Sequence, residues 1–251
     1  MPWLDPLYDL AFGQASPWVV LGAAAMAGLL RGFAGFGSAM LLAPIFVGLF
    51  GAAEMLVTIL AMESLISAPL VVETRREADW PLVRRMAVAA TLAMPLGLWF
   101  LTAVDSAVVG RTVSAVVIAF ALAMLAGWRW GGGHSPARAA VAGALSGALW
   151  GGTGIGGPPV LVYLLSSPDP PARLRANIIA YFTVVQVALI VMLLATQIVG
   201  MAAVWRGAIL FPAMWATAAL GARLFRGSDE ARYRRIALTI LLGVGVFGLL
   251  R

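Results

Sequence analysis

The sequence predicts an all-α polytopic membrane protein made of two inverted repeats, each a broken, hairpin-like helix pair followed by three transmembrane helices. Three observations predict it. Hydrophobic residues fill 62% of the 251 positions and charged residues only 11%, against roughly one-half and one-quarter in soluble domains. Six apolar runs approach the about 20 residues that a helix needs to cross a hydrocarbon core. A glycine pattern also occurs twice: sliding the chain by 119 positions carries Gly28, Gly32, Gly35 and Gly37 onto Gly147, Gly151, Gly154 and Gly156.

The elements follow in chain order. The first residues, MPWLDPLYDLAFGQA, carry two aspartates and no basic residue, which disfavours a cleaved secretory signal peptide. Residues 17–30 and 38–50 are each too short, at roughly 20 Å of helix, for a core of about 30 Å, and together too long for one span. The GFAGFG between them reads as a bend. Residues 52–73, 85–104 and 107–127 read as single crossings and close a first repeat, 1–127. A cytoplasmic linker, 128–137, precedes the second repeat, 138–251. There 138–150 and 157–166 flank the bend GGTGIG, and 176–199, 203–222 and 235–250 cross once each. Late in each half Gly97, Asp105 and Arg111 match Gly221, Asp229 and Arg235 at an offset of 124. Three single crossings per half is an odd number, so the two copies are expected upside down relative to each other, as in many secondary transporters.

Arginine placement agrees with this topology. The net charge is +6, all of the basic side chains are arginine, and they sit in short loops between apolar runs. That is membrane topology rather than nucleic-acid binding. If each broken pair enters and leaves on one side, the arginines near 75, 84, 129, 138, 173 and 223–235 share a face, leaving Arg111, Arg206 and Arg251 on the other. The crowded face is expected to be cytoplasmic and both termini periplasmic, in a multi-pass protein of the cytoplasmic (inner) membrane.

A glycine bend inside a membrane leaves helix-end amides and carbonyls unpaired, which persists only where protein or a water-filled cavity covers them. The bends therefore point inward. The half-helix starting near Ser38 offers its N-terminal amides, its positive dipole end and a hydroxyl, all suited to an anion. In the second copy Pro158 and Pro159 lack N–H groups, leaving the Gly156 and Gly157 amides and the Thr153 hydroxyl as donors. Close helix packing through Gly28xxxGly32 and Gly143xxxGly147xxxGly151 is the competing reading of the helical glycines, and it is compatible with ligand binding at the bends. Arg31, just before the first bend, costs about 2.5–3.5 kcal/mol at mid-membrane and needs a partner. Glu63, central in its run, is either a salt-bridge partner of Arg31 or a carboxylate that exchanges a proton during transport. The expected substrate-binding set is Arg31, Gly35, Gly37, Ser38, Thr153, Gly154, Gly156 and Gly157. Asn177, Tyr181, Thr183 and Gln186 are weaker candidates for the pathway.

The chain has no cysteine, its single histidine, His134, lies in a loop, and no P-loop, HExxH or GxSxG motif occurs. No metal, cofactor or catalytic apparatus is expected, and the protein is not predicted to be an enzyme. Through RGFAGFGSAMLLAP and GALWGGTGIGGPPVLVYLL, and across nearly the whole chain, the sequence resembles the TauE/SafE sulfite exporter family of membrane permeases. The resemblance implies a secondary transporter of sulfite, sulfonates or related organic anions that works without ATP. Phe33, Phe36 and Arg31 depart from the family's more glycine-rich first motif. The expected partners are a small anionic substrate, the lipid bilayer and a proton as coupling ion. Anion channel and membrane scaffold or assembly factor are the alternative functions, and monomer and homo-oligomer both remain open.

Overall fold

The computed structural model describes residues 8–9, 12–13, 15–34, 36–128, 135–224 and 230–250. Gly35, Arg129, His134 and Asp229 lie outside the described residues. The fold is all-helical: α1 Pro17–Ala34, α2 Ser38–Phe50, α3 Ala52–Thr74, α4 Trp80–Ala103, α5 Ser106–Leu125, α6 Pro136–Thr153, α7 Gly157–Leu165, α8 Pro171–Ala195, α9 Met201–Leu224 and α10 Glu230–Leu249. Five of these, α3, α4, α5, α8 and α9, are long and apolar enough to cross a membrane, whereas α1, α2 and 235–249 of α10 are shorter apolar segments. The sixth expected crossing, at 235–250, falls within α10, a helix of 20 residues whose apolar part is Arg235–Leu249.

Local sequence sets the helix ends. Asp79 caps α4 by accepting from the Leu82 N–H at 3.1 Å, with Pro81 in the first turn. Pro136 and Pro171 open α6 and α8, where a missing N–H costs nothing. Gly51, at φ +83°, ends α2 and turns the chain directly into α3. Within α4, Met86, Ala90, Met94 and Gly97 are buried while Leu92, Leu96 and Trp99 are exposed. In a chain that spans a membrane, that exposed apolar stripe faces lipid.

Glycine decides how the helices pair. α1 lies against α9 and α6 against α4, close enough that a Cβ on Gly28 would overlap the Met214 carbonyl and one on Gly147 the Ala90 carbonyl. Gly32 meets Ala218 as Gly151 meets Met94, and Gly221 meets Leu29 as Gly97 meets Ala148. Each contact in one half has its counterpart in the other at the offsets of 119 and 124 read from the sequence. Two of these helices run further than their glycines suggest. α1 continues through Gly32 to Ala34 and α6 through Gly151 to Thr153, because a helical glycine facing a neighbouring backbone is a packing position, not a break.

The connections sort onto two faces. The Asp79 N–H donates to Asn177 Oδ1 at 2.7 Å, and Arg76, Glu77, Asp79, Pro170 and Arg173 share one groove, so the α3–α4 and α7–α8 connections lie side by side. At the other end the Ala52 N–H donates to Ser106 Oγ at 3.4 Å, and Arg206 of α9 pairs with Glu54 of α3 at 2.6 Å. Val19, Gly48, Ser106 and Phe247 line a common groove there as well. The start of α1 and the end of α10 therefore lie with the α2–α3 and α4–α5 connections.

Candidate functional site

The tips of the two helix hairpins meet. α1 and α2 approach from one face and α6 and α7 from the other, and both bends border one cavity of about 40 Å³. Its walls include Arg31, Gly37 and Ser38 from the first bend, Gly156 and Gly157 from the second, and Glu63 of α3 and Gln186 of α8 between them. Phe36, Trp150, Leu161 and Phe182 supply its apolar and aromatic surface. By the rule that a water needs about 10–15 Å³ of such space, the cavity admits about three waters or one compact anion.

On the first-bend side the polar side chains form one network. Arg31, in the last turn of α1, forms an ion pair with Glu63 and donates to Ser38 Oγ at 3.3 Å and Ser67 Oγ at 3.1 Å. Ser38 in turn donates to Glu63. Glu63 is nearly fully buried, at 5% side-chain exposure, and Arg31 is at 16%. A lone charge at this depth is expensive, and pairing with added hydroxyl contacts is what makes both tolerable. Gly37 makes the geometry possible. At φ +98° it occupies the left-handed region, which turns the chain so that α2 begins at Ser38 with its hydroxyl beside the carboxylate.

The second-bend side is built differently. Gly154, at φ +70°, ends α6, and the Gly156 carbonyl accepts from Ser146, whose own hydroxyl accepts from Tyr181 at 2.7 Å. The Trp150 ring lies on Gly156, where a Cβ would fall 2.5 Å from Nε1, and packs edge-on against Phe182 with ring centroids 6.5 Å apart. Trp150 Nε1 is buried and has no hydrogen-bond partner among the described residues.

The structure thus brings together Arg31, Gly37, Ser38, Gly156 and Gly157 of the expected substrate-binding set with Glu63, the expected salt-bridge or coupling residue. Thr153 and Gly154 stand outside the cavity wall. The Thr153 hydroxyl donates to the Leu149 carbonyl at 2.7 Å, and Gly154 faces Met55 and Leu56 of α3. Gly35 lies outside the described residues. Of the weaker candidates only Gln186 reaches the cavity. Asn177 holds the Asp79 amide, Tyr181 holds Ser146 and Thr183 donates to the Ile179 carbonyl. Trp150 and Phe182 were not anticipated, although the 119 offset marks them: it carries Arg31 onto Trp150, Glu63 onto Phe182 and Ser67 onto Gln186. A buried ion pair in one half stands where the other has an aromatic pair.

Arg206 is the second buried arginine. At 4% exposure it pairs with Glu54 and stacks 3.9 Å over the Phe50 ring, tying α9 to the α2–α3 junction away from the cavity.

Five helices long and apolar enough to cross a membrane, packed with two helix hairpins whose bends border one cavity, define a multi-pass membrane protein. The chain belongs to the sulfite exporter TauE/SafE family, whose family model matches residues 20–248. It is accordingly a member of a membrane transporter family for sulfite and related anions. No curated protein and no solved structure matches the chain significantly.

Proposed function

We propose that the protein is a secondary transporter that exports sulfite, a sulfonate or a related small organic anion across the cytoplasmic membrane, with its site in the cavity between the two bends. The observation that carries this reading is the placement of Arg31 and Glu63 at the cavity shared by both hairpin tips. A buried ion pair adds little or nothing to stability over a well-packed apolar pair, so its presence there favours a role in the transport cycle.

The paired contacts at offsets of 119 and 124 support an inverted duplication, in which rocking of one half against the other opens the cavity to each side in turn. The side-by-side 75–79 and 166–170 connections, with Arg76 and Arg173 beside them, support a cytoplasmic assignment for that face and periplasmic termini.

Arg31 and Glu63 also suggest the coupling. Their charges cancel, so an anion competes with Glu63 for the guanidinium. Protonation of Glu63 removes that competitor and leaves Arg31 to balance one negative charge, so that anion and proton travel together. The test is uptake of radiolabelled sulfite or methanesulfonate into proteoliposomes. A carrier shows saturation, stimulation by unlabelled anion on the far side and dependence on an imposed pH gradient. Uptake that is linear in concentration and indifferent to trans anion contradicts the carrier reading and favours a channel.

A further inference from the structure

On the first-bend side of the cavity Arg31 and Ser38 are tied to Glu63 and Ser67, whereas the other half holds a buried donor with no partner among the described residues. Trp150 Nε1 is buried, carries an N–H that can only donate, and has no acceptor among the described residues. Leaving such a group unpaired in a low-dielectric interior is costly, and native proteins seldom do so without a reason. Its surroundings point to a ligand. The indole lines the cavity, is 4% exposed as a residue, and lies on Gly156, the one residue type that leaves room for it. The adjacent Gly157 opens α7, so its N–H has no intrahelical partner, and Pro158 and Pro159 bring no competing donor. Gln186 adds a side-chain amide to the same wall.

We propose that Trp150 is a substrate-binding residue whose indole N–H donates to the transported anion, and that the cavity selects a monoanion with a small apolar substituent over a dianion. This rests on the anion-transporter reading above and deepens it. Charge decides the second part. Arg31 and Glu63 are the ionisable groups of the cavity wall and sum to zero. One proton on Glu63 together with a monoanion leaves the cavity neutral, whereas a dianion leaves a net negative charge. The cost of burying charge grows with its square, so fixed neutral donors such as Trp150 cannot compensate a dianion as they do a monoanion. The substituent is met by Phe36, Leu161 and Phe182, which form the apolar side of the cavity. The class fits small alkanesulfonates, admits hydrogensulfite on charge alone, and excludes sulfate.

The test uses the full chain in detergent, titrated calorimetrically with methanesulfonate and with sulfate. Wild-type protein is expected to bind methanesulfonate at least about tenfold more tightly than sulfate. Trp150→Phe keeps the ring packing against Phe182 and loses the N–H, so it is expected to weaken methanesulfonate binding by roughly tenfold or more, the size of a hydrogen bond to a charged group. In protein labelled with 15N at the indole nitrogens, a slowly exchanging Trp N–H resonance should move downfield as methanesulfonate saturates. Unchanged affinity in a folded Trp150→Phe variant overturns the role of Trp150. So does a set of indole resonances that methanesulfonate leaves in place, even where the variant does not fold. Equal affinity for the two anions overturns the selectivity. A wild-type protein that binds neither anion contradicts the anion-site reading itself, which separates that failure from failure of the present inference.

Discussion

Replacing Glu63 by glutamine tests what holds Arg31 in the membrane. Removing one partner of a buried ion pair costs about 3–5 kcal/mol. Glutamine keeps the size and one carbonyl acceptor, Arg31 keeps Ser67 at 3.1 Å and Ser38 at 3.3 Å, and its side chain is 16% exposed. The loss should therefore fall to about 2–3 kcal/mol, or about 5–10 °C in Tm for a chain of this length. The freed guanidinium should then prefer an anion. A ligand at 100 times its Kd returns about 2.7 kcal/mol, so saturating methanesulfonate should restore most of the loss and raise the Tm of Glu63→Gln more than that of wild type. Differential scanning fluorimetry in detergent reads both quantities. A variant as stable as wild type, or one whose anion-induced rise is no larger, would refute the argument that Glu63 and the substrate compete for Arg31.

Further outcomes follow from the glycines and the loops. Gly147→Ala should cost more than about 3 kcal/mol or block folding, since its Cβ would run into the Ala90 backbone, while Gly22→Ala, with no neighbouring atom within 4 Å, should be neutral; thermal melts of the two compare them directly. Gly37→Ala and Gly154→Ala should each lose about 1–2 kcal/mol, because both glycines sit at positive φ. Only Gly37 lines the cavity, so only its substitution should also weaken anion binding beyond the stability loss. In this cysteine-free chain, Glu77→Cys and Ser167→Cys should both resist an impermeant maleimide applied outside intact spheroplasts, while Gln197→Cys reacts. Reaction of Glu77→Cys and Ser167→Cys from opposite sides would break the topology.

The parts of this fold that follow from local rules were legible in the sequence. Segments too short to span and too long to be one crossing marked both hairpins, and Ser38 and Gly157 begin α2 and α7 close to where the bends were placed. The helical glycines of the 119 offset were legible because a glycine at a close helix contact has no substitute: Gly28, Gly32, Gly147 and Gly151 each meet a backbone carbonyl of the neighbouring helix. What escaped depends on partners far along the chain. Helix α1 extends past Arg31 because α9 covers Gly28 and Gly32, which periodicity cannot show. Thr153 was expected to face the ligand, but its hydroxyl returns to the preceding helical turn, a choice available to any serine or threonine near a helix end. Trp150 was missed because an aromatic residue in an apolar run reads as lipid-facing, and only its unpaired N–H, seen in three dimensions, separates it from the other tryptophans. Arg206 read as a loop arginine because Glu54 lies more than a hundred residues away.

On the proposed function Arg31, released from Glu63, holds the anion between the two bends. Arg31→Ala alone would strand a buried carboxylate, so the informative comparison is the double variant Arg31→Ala/Glu63→Gln against Glu63→Gln, with methanesulfonate affinity measured by calorimetry in detergent. The two differ in the guanidinium and in no other charge. Glu63→Gln is expected to bind more tightly than wild type, and the double variant to lose at least about tenfold from that value, the scale of a charge-assisted hydrogen bond. Equal affinity in the two variants would contradict it and place the anion elsewhere in the molecule.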